Sequence, residues 1–375
     1  MKHVKITLNE ESNGLSESFE GLLVKEDDKH VVVKLSSGYN IGLNKNSIKK
    51  IEDINSHKEL IKEKSSDKVH DSIKHGDGLP KVLILHTGGT IASKIDYETG
   101  AVTPKFTPEE LLGLFPEMKD VAKIESKLLK NMASDDMRFT HYNLIGQGIY
   151  DEIHAHKDLK GIIVTQGTDT LHYTSSAISF MFENLHIPIV VVGSQRSSDR
   201  GSSDAAMNLI SAVAFIANTT LSGVFVCMHE SVNDDSCVIL NGINCRKMHS
   251  SRRDAFKQIN AKPIARVDYA TKNIDYISEL QNSNLNAKGA LKLHKFNDEL
   301  KIGMIISHPN MYAEEFEPFE KFDGLILQGT GLGHFPINDD KENLKIKQKI
   351  KDLALKIPVV MSVQTISGPV NMNVY

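Results

Sequence analysis

Two apolar runs in this chain end in the same way. Lys81-Val-Leu-Ile-Leu-His86 runs into Thr87-Gly-Gly-Thr90, and Gly161-Ile-Ile-Val-Thr-Gln166 runs into Gly167-Thr-Asp-Thr170. Each loop leads into a stretch that reads as helix. Nearly continuous aliphatic runs fit strands buried on both faces, which is the habit of parallel sheets. Further strand candidates fall at 188–193, 223–228, 302–307, 323–328 and 358–363, with helical segments between them. Strands alternating with helices mean βα units. In such sheets ligands bind in the loops at the carboxyl ends of the strands.

The chain's 375 residues exceed one typical domain. Residues 1–55 have a different grammar. Short strand-like runs at Phe19–Lys25, His30–Leu35 and Tyr39–Leu43 are separated by turn compositions such as Ser36-Ser-Gly. Closely spaced short strands suggest a small β-barrel or sandwich. Residues 56–80 are hydrophilic and end in His75-Gly-Asp-Gly-Leu-Pro80, which reads as a linker. A polar stretch beginning at Gln281 marks a second boundary. The expected organisation is a β domain over 1–55, a linker over 56–80, a large α/β domain over 81–285 and a smaller α/β domain over 286–375.

Composition narrows the function classes. A net charge of −4 gives no global basic field for nucleic acid. No apolar run reaches the roughly 18–20 residues of a membrane span. The start, Met1-Lys-His-Val-Lys-Ile, lacks the apolar core of a signal peptide. Cytoplasm is the expected compartment, with no membrane partner. Cys227, Cys237 and Cys245 are too few and too irregular for a disulfide framework and read as free thiols. They lie near His229 and His249 in sequence, but zinc-type spacing is missing, so no metal site is expected.

A loop between strand and helix offers backbone N–H groups and the positive end of the helix dipole. Gly88 and Gly89 let a ligand approach closely. Such a loop can hold a phosphate, a carboxylate or an oxyanion. The spacings GxxxxGK[ST] and GxGxxG do not occur at these loops, so a nucleotide has weak support. A threonine nucleophile needs a base, and a lysine oriented by a carboxylate can serve. Thr90, Thr168 and Asp169 with a later lysine supply those ingredients. The bland alternative makes Thr90 and Thr168 helix N-caps and Asp169 a first-turn acid. Both readings stand at this point.

With Thr87-Gly-Gly-Thr-Ile-Ala-Ser93 followed by Gly167-Thr-Asp-Thr170, the chain resembles the bacterial-type L-asparaginase/glutaminase family from about Lys81 onward. The resemblance implies a larger α/β domain holding the active site and a smaller α/β domain after it. Thr90 matches the family's nucleophile. Thr168 and Asp169 match the second threonine and its aspartate, and Lys247 in Asn244-Cys-Arg-Lys-Met248 matches the lysine that completes the relay. Without the resemblance, Lys247 would read as part of a solvated basic face with Arg246, His249, Arg252 and Arg253. Tyr97 resembles the tyrosine of the family's mobile lid. Ser134 matches a serine that binds the substrate α-carboxylate, and Asp135 stands where the asparaginases commonly carry Gln.

The N-terminal segment narrows the likeness. Glu20-Gly-Leu-Leu-Val and His30-Val-Val-Val-Lys-Leu resemble the β domain of the D-subunit family of archaeal-type glutamyl-tRNA(Gln) amidotransferases, as do Asp96–Pro104 and Gln328–His334. That resemblance implies ammonia release from glutamine or asparagine for a partner, the E subunit of the amidotransferase. The E subunit would use ATP and Mg²⁺ to amidate Glu-tRNA(Gln), leaving this chain with no cofactor of its own. The resemblance further implies a homodimer within a heterotetramer, with His334 a contributor across the interface. The alternatives are a free-standing L-asparaginase and, from another class, a non-catalytic scaffold protein. The family continues beyond Tyr375, and Ser367-Gly-Pro replaces a more usual Tyr-Gly-Arg, so the last domain is expected to be incomplete.

Overall fold

The computed structural model describes residues 3–9, 18–26, 29–35, 40–53, 78–89, 93–95, 102–104, 115–197, 202–278 and 289–373. Five N-terminal strands, β1 (His3–Leu8), β2 (Ser18–Glu26), β3 (His30–Leu35), β4 (Asn40–Asn44) and β5 (Ile48–Asp53), form an antiparallel sheet ordered β4-β3-β2-β1-β5. Its inward residues Val4, Ile6, Val31, Val33 and Leu43 make a small core of their own. The sequence pattern anticipates β2, β3 and β4 but misses β1 and β5. Those two pair with each other across the longest separation in this sheet, for example Ile6 with Ile51.

The second sheet has eight strands. They are β6 (Lys81–His86), β7 (Lys123–Leu128), β8 (Leu159–Thr165), β9 (Pro188–Val192), β10 (Gly223–His229), β11 (Ser236–Asn241), β12 (Ala265–Asp268) and β13 (Ile274–Tyr276). Their order is β13-β12-β11-β10-β9-β8-β6-β7. The strands from β7 to β10 run parallel. From β10 to β13 the sheet turns antiparallel, which the alternating pattern of apolar runs does not reveal. An antiparallel edge on a parallel sheet is common in α/β folds.

The parallel strands β6, β8, β9 and β10 are buried on both faces because their side chains alternate between two cores, whereas the edge strand β7 is half exposed. Val82 and Ile84 of β6 point into the core containing α3 (Ala205–Asn218), whereas Leu83 and Leu85 point into the other. That other core takes Ile145, Ile149 and Ile153 of α1 (Phe139–Ala155) and Leu171 and Ile178 of α2 (Leu171–Met181). Each fully buried aliphatic side chain contributes about 1.5–3 kcal/mol of transfer free energy, so a solvated face is unfavourable for such a strand. The chain leaves β6 for β7 on one side and passes from β8 to β9 on the other. The reversal between β6 and β8 is a topological switch point, the place where loops of opposite sense part and leave a crevice.

The structure divides into two compact units. One comprises residues 1–137, 144–257 and 263–294, and the other comprises 138–143, 258–262 and 295–375. The second carries β14 (Ile302–Ile306), β15 (Gly324–Gly329) and β16 (Val359–Val363) as a parallel three-stranded sheet. Helix α4 (Lys341–Ala354), with Asp340 as its side-chain N-cap, covers this sheet's core through Ile346 and Leu353. Among the described residues, no helix is long and apolar enough to cross a membrane.

Candidate active site

Loops after β6, β7, β8 and β9 gather at the carboxyl edge of the parallel strands. Beneath them lies a buried polar row. The His86 ring shares hydrogen bonds with Thr165 Oγ1 on β8 at 2.9 Å and Ser126 Oγ on β7 at 2.8 Å. The Thr87 hydroxyl donates to Thr165 O at 2.8 Å. These contacts fix the start of the β6 loop. The two glycine–threonine loops then press together backbone to backbone. A Cβ on Gly89 (φ +85°) would lie 2.1 Å from Gly167 N, and one on Gly88 (φ +102°) 2.7 Å from Met132 O. Only glycine meets both the positive φ and the missing volume there.

The loop after β8 carries Gly167, Thr168, Asp169 and Thr170 into α2. Thr168 and Asp169 precede the N-cap, which is Thr170. The capping alternative therefore fails for Thr168, and Asp169 lies ahead of the first turn. Thr170 makes no side-chain cap bond and instead donates to Ser134 O. Ser134 is buried in a short 3-10 turn, Ser134–Asp136, while Asp135 is exposed. A Cβ on Gly167 would lie 2.7 Å from Ser134 Oγ, so that glycine makes room for the serine.

Lys247 arrives from the segment after β11, which packs on the same face of the sheet as α2. The turn after β11 is held to α2 because Ser175 Oγ donates to Gly242 O at 2.8 Å and Ser176 Oγ at 3.1 Å. The residues Cys245–Lys247 then form a short strand. This brings Lys247 to the start of α2, where its Nζ donates to Thr168 Oγ1 at 2.9 Å and to Asp169 Oδ1 at 2.8 Å. The Lys247 side chain is only 10% exposed, whereas that of Asp169 is 65% exposed at the rim. The solvated-face reading of Lys247 is thereby overturned by the three-residue set itself. Thr90 and Tyr97 lie outside the described residues.

Two groups around this set leave no mark in the sequence. Thr168 Oγ1 donates to Gln195 Oε1 at 3.3 Å, from the loop after β9. Nothing in Ser194-Gln-Arg-Ser197 singles out that residue, because its role comes from β8 and β9 being neighbours. On α2, His172 is pushed down to about 4 by burial and by the positive charges of Arg246 and Lys247. Its imidazole is neutral at neutral pH. The three cysteines are buried free thiols, as expected.

A threonine hydroxyl held between a lysine amine and an amide, with a carboxylate on the same amine, is an arrangement for moving a proton. The sequence profile described as "Asparaginase, N-terminal" matches residues 81–281, and that described as "GatD N-terminal domain" matches residues 10–54. The D subunit of the glutamyl-tRNA(Gln) amidotransferase of Methanococcus vannielii is 39% identical over 360 residues, covering 94% of this chain and 82% of that protein. The protein of the same name from Methanopyrus kandleri is 38% identical, covering 93% and 74%. Among solved structures, the thermostable L-asparaginase from Thermococcus kodakarensis superposes with a TM-score of 0.67 at 30% identity, covering 79% of this chain and 83% of that one. L-asparaginase I from Vibrio cholerae gives 0.66 at 26% identity, covering 79% and 84%.

Proposed function

Because the chain belongs to the family of glutamyl-tRNA(Gln) amidotransferase D subunits, we propose that it releases ammonia from glutamine or asparagine for a partner, the E subunit of that complex. That partner uses ATP and Mg²⁺ to amidate Glu-tRNA(Gln) to Gln-tRNA(Gln). The observation that carries the amidohydrolase half is the Lys247–Thr168–Asp169 set, with Lys247 bonded to both partners beneath the loop edge.

In this reading Thr90 is the nucleophile. Its Oγ bonds to the amide carbon, and its proton passes through Thr168 to the neutral amine of Lys247. Lys247, oriented by Asp169, returns a proton to the leaving nitrogen as the C–N bond breaks, and ammonia departs. Water then attacks the Thr90 ester and releases glutamate or aspartate. Loop N–H groups bind the oxyanion. Ser134 and Asp135 hold the substrate's α-carboxylate and α-ammonium, and Tyr97 closes over the site. The contact of Gly89 with Gly167 supports placing the loop that carries Thr90 against Thr168. A homodimer within a heterotetramer is the assembly this family reading implies.

The test is ammonia release from Gln and from Asn, with and without the E subunit, Glu-tRNA(Gln) and ATP. Stimulation by the tRNA-loaded complex is the expected result. Full activity indifferent to the partner would make the chain a free-standing asparaginase. No release under any condition would make it a scaffold protein.

A further inference from the structure

Gln195 is anchored unusually firmly at its backbone and loosely at its tip. The Asp204 carboxylate, fully buried, accepts the Gln195 N–H on both oxygens at 3.0 Å and the Arg196 N–H at 3.1 Å. Asp204 is itself held by Asn208 Nδ2 at 3.0 Å, which also donates to Gly193 O. The Asn208 Oδ1 pairs with His229 Nδ1 at 2.6 Å. The loop after β9 is therefore bolted to α3 and β10. At the tip, Gln195 Oε1 accepts the Thr168 hydroxyl, while the buried Nε2 has no partner among the described residues. Buried amide nitrogens are rarely left unpaired.

The two ends of a carboxamide exchange by half a turn of the terminal torsion, which swaps acceptor for donor. With Lys247 as ammonium, Lys247 donates to Thr168, so the Thr168 proton must point away and needs an acceptor. Gln195 Oε1 is that acceptor. With Lys247 neutral, Thr168 donates to the amine, and its freed lone pair faces Gln195. A half-turn then offers Nε2–H to that lone pair and gives the orphaned nitrogen its partner. We propose that Gln195 is a positioning residue whose amide turns over to set the direction of the Thr168 proton as Lys247 gains and loses its own. This rests on the reading of Lys247 as the base.

The test is Gln195→Glu beside Gln195→Met. A carboxylate accepts and does not donate, so it serves only the ammonium state of Lys247. Besides Gln195, Lys247 has Asp169 ahead of α2, His172 on α2 and Arg246 on its own strand as titratable or charged neighbours, with Asp204 behind the Gln195 loop. Lys247 titration is read by pulse acetylation with acetic anhydride and peptide mass spectrometry across pH. In Gln195→Glu the midpoint is expected to rise by about one unit, as an added opposite charge nearby produces. In Gln195→Met it is expected not to rise. The kcat for ammonia release is expected to fall about tenfold or more in both, with KM within about twofold. A Lys247 midpoint at the wild-type value in Gln195→Glu overturns the proposal. Should wild-type protein release no ammonia, the amidohydrolase reading falls and the proposal with it, whereas ammonia release with an unmoved Lys247 midpoint in Gln195→Glu overturns the proposal alone.

Discussion

Lys247 shows how far a residue's neighbours in sequence mislead. Arg246, His249, Arg252 and Arg253 surround it, yet its side chain is nearly buried because the turn at Gly242 is tied to α2. That tie joins residues 67 apart and leaves no local trace. Replacing Lys247 with Met, or Thr168 with Ala, should lower kcat by about 10²–10⁴-fold, the usual worth of a positioned acid–base group. The double variant should cost little more than either single one, because the residues act as a unit. Additive losses in steady-state kinetics would sink that view. His172 gives a pH signature. Its folded-state value of about 4 lies below the ordinary 6.5, so between those values the unfolded chain binds more protons than the folded one. Stability should therefore fall as pH drops from about 6.5 toward 4. His172→Asn should flatten that part of the profile, measured as urea midpoints at pH 7 and pH 5. An unchanged difference between the two midpoints would count against it.

At the scale of elements, the parallel strands buried on both faces are plain in the sequence, whereas the half-exposed edge strand β7 is missed. The run at 81–86 coincides with β6, and 161–166, 188–193 and 223–228 fall within a residue or two of β8, β9 and β10. Strands buried on both faces announce themselves because each position must be apolar. The outer antiparallel strands β12 and β13 are hidden for the converse reason. Exposed Arg266 on β12 pairs with half-buried Glu230, and β13 carries a half-buried and two exposed residues. The loop contacts are invisible as well, since Gly89 meets Gly167 only once β6 and β8 lie side by side. Gly89→Ala should then be severe. It combines a positive φ, worth about 1–3 kcal/mol for a non-glycine residue, with a Cβ 2.1 Å from a backbone nitrogen. Loss of soluble protein or of ammonia release is expected, whereas Gly42→Ala, with nothing within 4 Å of its Cβ, should melt within a few degrees of wild type. Asp204→Ala is a second element-scale test. It strips acceptors from the N–H groups of Gln195 and Arg196, each costing about 1–3 kcal/mol if left buried and unpaired. A denaturant midpoint equal to wild type would mean that the β9 loop is not held from α3.

For the molecule as a whole, the cores divide the labour. The N-terminal sheet buries Val4, Ile6, Val31, Val33 and Leu43 among themselves, and the large sheet buries its two faces against α1, α2 and α3. Among the described residues, every hydrogen bond made by the Thr168 and Lys247 side chains comes from the large sheet and its loops. The N-terminal domain therefore supplies none of the described proton-transfer contacts, yet it is the part that matches the amidotransferase profile. A net charge of −4 also gives the chain no general attraction for RNA phosphates. Deleting residues 1–54 should leave the kcat for Gln or Asn hydrolysis by the chain alone within about twofold of wild type, since no acid–base group worth its usual 10²-fold or more is removed. The same deletion should abolish the added stimulation by the E subunit carrying Glu-tRNA(Gln). Parallel assays of full-length and shortened chains separate the two effects. Equal stimulation in both would place the coupling surface on the α/β units instead, and loss of the basal rate would mean that the N-terminal sheet supports the site itself.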